Sequence, residues 1–371
     1  MAHYSLQNLI SDLNTAAREG KSIYVNLILG RSHTWNQIYD KLKLYGDRKK
    51  SPWLPELQGT GEKDFYSLIF NPKKKGEKPR IFYWKVLQES GNVVIISFSI
   101  EKFWDQKRCM DSLVHCVKGL WYAFLGARFL ENLDSFIRPI VGEGAELRVA
   151  PLSSYERTGE LGVRVIKYPE EWMSFDELRR NLSDERKTRV ISLRKIRVYV
   201  TVRGFLFKFS LSERAQIMFE PGGSFQLFTE LLRPLVDRVL GINNQFERKL
   251  IVKEEKITVR EKALTLKTVE ELQVLTIRPP EIDGWFESLS AIFSDNERLK
   301  SEGLVSFVLN SGNPFFLCHV VDLENASSVY LSATGEQIRI APSGMSTKAE
   351  SVALIIGVLQ KYVSPMLDVE S

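Results

Sequence analysis

Leu275–Lys300 reads LTIRPPEIDGWFESLSAIFSDNERLK. A β-branched run meets a polar break with two prolines, then a tryptophan. Leu289, Ile292 and Phe293 come next at helical spacing, so the stretch predicts a strand and then a helix. The same order occurs twice upstream, in Leu27–Lys50 (LILGRSHTWNQIYDKLKLYGDRKK) and Val163–Lys187 (VRVIKYPEEWMSFDELRRNLSDERK). Aligned on Trp35, Trp172 and Trp285, all three end in polar residues that contain Asp47, Asp184 or Asp295. Tryptophan occurs only seven times in the chain, so three at one point of the pattern argue for a repeated unit. The unequal spacing argues against it.

The residues C-terminal to each of the three stretches are also alike. FYSLIF, RIFYWKVLQ and NVVIISFSI predict strands, with a long helix from about Glu101 to Leu133. RKIRVYVTV, FLFKFSL and AQIMFEP predict the next set, with a helix from about Ser224 to Leu240. LVSFVLN, PFFLCHVVDL, SVYLSAT and EQIRIAP predict the last, with a helix from Thr347 to Tyr362. Turn residues Ser90-Gly91-Asn92, Ser311-Gly312-Asn313 and Thr334-Gly335 separate strands. The expectation is an α+β protein of three tandem units, each strand–helix–three or four antiparallel strands–helix. The helices pack on one face of each sheet.

That topology resembles half of a TATA-binding-protein saddle, by analogy of fold alone. The units are residues 1–150 with an N-terminal helix, 151–268 ending in a β-meander, and 269–371. IVGEGAELRVAPLSSYERTGELG from Ile140 reads as a linker between the first two.

Bulk properties exclude several classes. The 371 residues are 44% hydrophobic and 26% charged, an ordinary globular balance. With 51 basic against 46 acidic residues, a nucleic-acid partner is permitted but not demanded. Cys109, Cys116 and Cys318 cannot form a disulfide framework. The polar N-terminus does not read as a secretory signal, and no apolar run is long enough for a bilayer. A cytoplasmic protein with no membrane partner is expected.

The strand RKIRVYVTVR places Ile196, Val198, Val200 and Val202 on one face and Lys195, Arg197, Tyr199, Thr201 and Arg203 on the other. Cations with an aromatic suit phosphates and bases; a solvated face paired with carboxylates is the alternative. The loop NPKKKGEKPR offers Lys73, Lys74 and Lys75 as a second basic contact or as a solubilising hairpin tip. Tyr83 or Trp84 would mark an apolar docking patch for a protein.

No phosphate loop, HExxH or GxSxG motif occurs. His115-Cys116 and Cys318-His319 could meet at a zinc, but their apolar neighbours suit core cysteine. No cofactor or metal is expected. The reading is a non-catalytic protein whose repeated sheet faces bind a macromolecule, with nucleic acid a candidate ligand. A protein assembly or scaffold role is the alternative, and an enzyme without a local motif the second.

Overall fold

The computed structural model describes residues 4–31, 38–40, 42, 53–74, 76–89, 92–102, 109–110, 114, 120–142, 144–158, 162–189, 191–202, 204–246, 250–259, 262–280, 283–312, 314–323, 327–343, 349–364 and 367. It is a mixed α+β structure with large antiparallel sheets. Trp35, Asp47, Lys75, His115, Cys116 and Arg203 lie outside the described residues. The chain divides into two compact units. The first holds Met1–Ser154, Lys167–Asp184 and Leu193–Leu240; the second holds Tyr155–Ile166, Glu185–Ser192 and Gly241–Ser371.

The strands of the large sheet are β1 (Ile23–Arg31), β2 (Trp53–Gly59), β3 (Phe65–Pro72), β4 (Arg80–Glu89), β5 (Asn92–Ser99), β6 (Leu120–Tyr122), β7 (Glu146–Thr158), β8 (Gly162–Lys167), β9 (Ile191–Val202), β10 (Phe205–Ser212) and β11 (Gln216–Phe219). Their hydrogen-bonded order is β2-β3-β4-β5-β1-β11-β10-β9-β7-β8, with β6 added beside β1. β1 is central. Along one edge it pairs with β5 throughout; along the other it pairs with β11 at Ile23–Asn26 and β6 at Ile28–Gly30. Its residues from Val25 to Leu29 are all buried, which explains a near-continuous apolar run in place of alternation.

Helix α1 (Leu6–Arg18) is capped by Ser5, whose Oγ accepts from the Asn8 N–H. Two corrections concern the segment after β5. The single helix expected from Glu101 to Leu133 is interrupted by β6 and resumes as α2 (Ala127–Glu131) and α3 (Leu133–Val141). Gly126, at φ 78°, takes a conformation that no helix interior holds, and α2 starts after it. The expected linker from Ile140 is largely strand β7. Leu147 and Val149 face inward there while Glu146 and Arg148 face out, an alternation that Pro151 and the serines disguise.

Next come α4 (Phe175–Arg186) and α5 (Phe225–Phe246). Gly223, just before α5, lies so close to β10 that a Cβ there would stand 2.8 Å from Phe207 Cα. Only glycine fits. Strands β12 (Leu250–Val259) and β13 (Lys262–Leu272) form a two-stranded hairpin where the sequence reads as a small β-meander.

The second unit also contains β14 (Leu275–Ile277), α6 (Trp285–Ser294), α7 (Asn296–Ser301), β15 (Leu304–Asn310), β16 (Phe316–Asp322), β17 (Ser327–Ala333), β18 (Ile338–Pro342) and α8 (Ala349–Tyr362). Its sheet order is β14-β18-β17-β16-β15. Cys318, Val320, Val329, Leu331, Ile338 and Ile340 turn inward, and Leu289, Phe293, Ile355 and Leu359 of α6 and α8 are buried with them. Asp295 caps α7 by accepting from the Arg298 N–H, a helix-terminal role. No described helix is long and apolar enough to cross a membrane.

Candidate functional site

Two three-stranded faces carry the side chains of interest, and each belongs to a single unit. In the first unit, the inward alternation of β9 puts Ile196, Val198 and Val200 in the core. The opposite face forms a grid with β10 and β11. Register sets Tyr199 beside Lys208, Arg197 beside Ser210 and Met218, and Lys195 beside Ser212. Glu220 joins the Tyr199–Lys208 row through its N–H, which donates to the Lys208 carbonyl at 2.8 Å. Gln216 joins the Lys195–Ser212 row, its N–H donating to Ser212 Oγ at 3.2 Å.

This face is basic but already occupied. The Arg197 guanidinium, 20% exposed, is paired with Glu170 from the segment before α4 and lies 2.5 Å from Glu220 Oε1. The Glu220 contact is close but lacks the alignment of a hydrogen bond, so it acts as an ion pair. Trp172 meets Tyr199 edge-on at 5.8 Å, and the Lys208 ammonium lies 5.8 Å and 5.5 Å from their ring centroids. Lys195 is half-buried. Burial pushes its pKa below the usual lysine value, and the positive charges of Arg197 and Arg194 push in the same direction.

Lys73 and Lys74 sit on the exposed β3–β4 loop, with Lys74 3.9 Å from Glu77. β3 and β9 are six strand spacings apart in the sheet order, about 29 Å. Among the described residues, that distance along the sheet separates Lys73 and Lys74 from Lys195 and Arg197. Trp84, a candidate docking aromatic, is fully buried, and its Nε1–H donates to Ser97 Oγ. Tyr83 is half-covered by Tyr4, ring centroids 5.6 Å apart.

In the second unit, β15, β16 and β17 build a face of the opposite character. Its rows are Val305–Val321–Ser328, Phe307–His319–Tyr330 and Asn310–Leu317–Ser332. No residue from Leu304 to Val321 is Asp, Glu, Lys or Arg. His319 bridges the central row, its ring 6.3 Å from Phe307 and 5.0 Å from Tyr330. Phe307 is 55% exposed, and Leu309, bulged out of register at the edge, is 58% exposed. Phe315 and Tyr330 are exposed beside them.

The edge of β15 is partly closed. The Asn296 side chain donates to the Ser306 carbonyl at 2.9 Å and accepts from its N–H at 2.8 Å, mimicking one rung of a neighbouring strand.

Sequence reading placed Lys195, Arg197 and Tyr199 on one face but missed Glu170, Trp172, Lys208 and Glu220. Lys208 had a signal, as the one charged residue among the phenylalanines of FLFKFSL. The apolar face was missed too, although its uncharged run was visible.

Among the described residues no group of three or more His, Cys, Asp or Glu is placed to hold a metal. Cys109 and Cys318 are buried free thiols, and burial pushes the Cys318 pKa up to about 12. No family model and no curated protein matches the chain. Among solved structures it is similar to the di-domain ARO/CYC StfQ from the steffimycin biosynthetic pathway, at 8% identity and a TM-score of 0.20. That match covers 59% of this chain and 94% of the other. A likeness of this size carries no functional argument.

Proposed function

We propose that the protein is a non-catalytic assembly subunit that docks through the open face of β15–β17, and that the occupant is a second copy of the same face. The carrying observation is the uncharged grid centred on Phe307, His319 and Tyr330, with Leu309 and Phe315 at its margin. Large aromatic and aliphatic side chains left open on a sheet favour removal from water. A charged partner would lose hydration against the β15–β17 rows, which offer it no counter-charge short of Arg339 on β18, whereas a second copy meets neutral with neutral there. Face-to-face sheet packing about a two-fold axis is self-complementary. Asn296 blocks part of the edge, which favours the face over strand addition.

The experiment is molar mass in solution across protein concentration. Wild type should approach twice the chain mass, and Phe307→Glu/Leu309→Glu should remain monomeric, with the wild-type unfolding midpoint at concentrations low enough to keep both chains monomeric. A monomeric wild type at high concentration, or an unaffected variant, would sink the reading.

Nucleic-acid binding through Lys195, Arg197, Tyr199 and Arg203, with Lys73, Lys74 and Lys75, is the second reading. The Lys208–Trp172–Tyr199 cluster favours it, but the carboxylates on Arg197 weigh against it. We also read segments 1–150, 151–268 and 269–371 as variants of one strand–helix–strands–helix element. Matching orders β1-β5-β4-β3-β2 and β14-β18-β17-β16-β15 support this for the first and third. The second departs from it, because β11 pairs with β1 and not with β8. A cytoplasmic setting suits the free thiols.

A further inference from the structure

The face of β9–β11 holds polar groups that the Arg197 and Lys208 clusters do not use. Ser210 is fully buried, and among the described residues its Oγ has no hydrogen-bond partner. Asn26 on β1 is 2% exposed, and among the described residues its Nδ2 is likewise unpartnered. Lys195 is half-buried, and neither a hydrogen bond nor an ion pair engages its ammonium among the described residues. Buried polar groups are nearly always satisfied, so two unpaired ones beside a half-buried ammonium on one face require an explanation.

Register places them together. Lys195 stands opposite Ser212, Ser212 adjoins Gln216, and Gln216 stands opposite Asn26. Ser210, opposite Arg197, is the diagonal neighbour of Lys195, about 7–8 Å away on the same face. An oxyanion spans such a gap with a hydrogen bond to each side. All three groups can donate: an ammonium, a hydroxyl and an amide. The missing partner is therefore an acceptor.

Its charge is set by the surroundings of Lys195. Arg194 and Arg197 repel it, and Glu220, the carboxylate that attracts it, is committed to Arg197. An anion supplies what the fold omits. We propose that the strip Lys195–Ser210–Ser212–Asn26 binds a small oxyanion-bearing ligand, with its carboxylate or phosphate at Lys195 and Ser210 and a further acceptor atom at Asn26. This site is independent of the docking face in the second unit.

The test is calorimetric titration and thermal unfolding of the full chain with inorganic phosphate and with citrate, at constant ionic strength set by chloride. Saturable heat and a raised midpoint with either probe are expected, phosphate alone indicating a phosphoryl ligand and citrate alone a carboxylate. Lys195→Met and Ser210→Ala should each weaken affinity about tenfold or more, the loss of a charge-assisted or buried hydrogen bond. Ser210→Ala removes a single oxygen and keeps the test valid if Lys195→Met does not fold. The proposal fails if neither probe binds saturably, which leaves buried water on the strip. It fails equally if both variants respond like wild type. Binding of a short RNA with no response to phosphate or citrate would replace it with the nucleic-acid reading.

Discussion

On β9–β11 the open face presents Lys195, Arg197, Lys208 and Tyr199; on β15–β17 the equivalent positions present Phe307, His319, Leu317 and Tyr330. Both grids come from the same period-two alternation over a buried aliphatic layer. They differ in what the rest of the chain does about them. The basic face draws in its own counter-groups: Glu170 and Trp172 from the segment before α4, and Glu220 from the turn before α5. Among the described residues the apolar face attracts none, and the Asn296 rung protects its edge. A run of cations in a strand thus says little about free charge, because compensating carboxylates can arrive from anywhere in the chain. An uncharged run is harder to compensate from within.

The largest effect should separate the two sides of the second unit's sheet. Leu331 is fully buried, and Leu331→Ala should cost about 3 kcal/mol through lost burial and a residual cavity. Its neighbour Tyr330 faces out, and Tyr330→Ser should stay within about 0.5 kcal/mol for the monomer. Urea midpoints at low protein concentration measure both, and equal costs would mean that the face is covered.

Next in size is the ion-pair claim for the first unit. Arg197→Leu strands Glu170 and Glu220 and should lose about 2 kcal/mol, less than a fully buried pair because Arg197 and Glu170 keep some water. Arg197→Leu/Glu220→Leu should recover part of that loss. A single variant as stable as wild type would make the face a solvated one, free to take phosphate.

Lys195 gives a smaller effect with a defined sign. Its native pKa lies below the unfolded value of about 10.4, first through burial and then through Arg197 and Arg194. Between the two values the unfolded chain holds a proton that the native state has released. Stability therefore rises with pH through that window. Lys195→Met should flatten the rise and add about 1 kcal/mol at neutral pH in chloride buffer, because an unpaired ammonium is exchanged for an apolar chain of similar length. Urea midpoints from pH 7 to 10.5 measure it. A steeper rise in the variant would contradict the assignment.

Alternation within β9 and the strand–helix–four-strand course of the third segment were legible in the sequence because both depend on local periodicity. β6 and β7 were not. Trp121 and Tyr122 lie in a stretch whose apolar spacing also suits a helix, and Pro151 with its serines hides the Leu147–Val149 alternation. The partners of Arg197 were illegible for another reason. Glu170 and Glu220 are set by register and by the path of a loop, and neither leaves a trace near RKIRVYVTVR. Trp84 and Tyr83 occupy adjacent positions of one strand, so alternation separated them, but only tertiary packing decided that both would be covered.

The smallest expected effect concerns the loop that shares the basic strand's charge but not its place. Lys74 has its side chain 83% exposed, and its Glu77 contact is long, so Lys74→Ala should change stability by less than about 0.5 kcal/mol. The comparison sharpens when this change is combined with Lys195→Met. Six strand spacings separate the two positions, and groups that far apart with no shared partner act additively to within about 0.5 kcal/mol. The double variant should therefore bind phosphate no more weakly than Lys195→Met alone. If Lys74→Ala and Lys195→Met each weaken binding of a short RNA, the two basic elements contact one extended polyanion, and the small-ligand assignment gives way to a nucleic-acid surface.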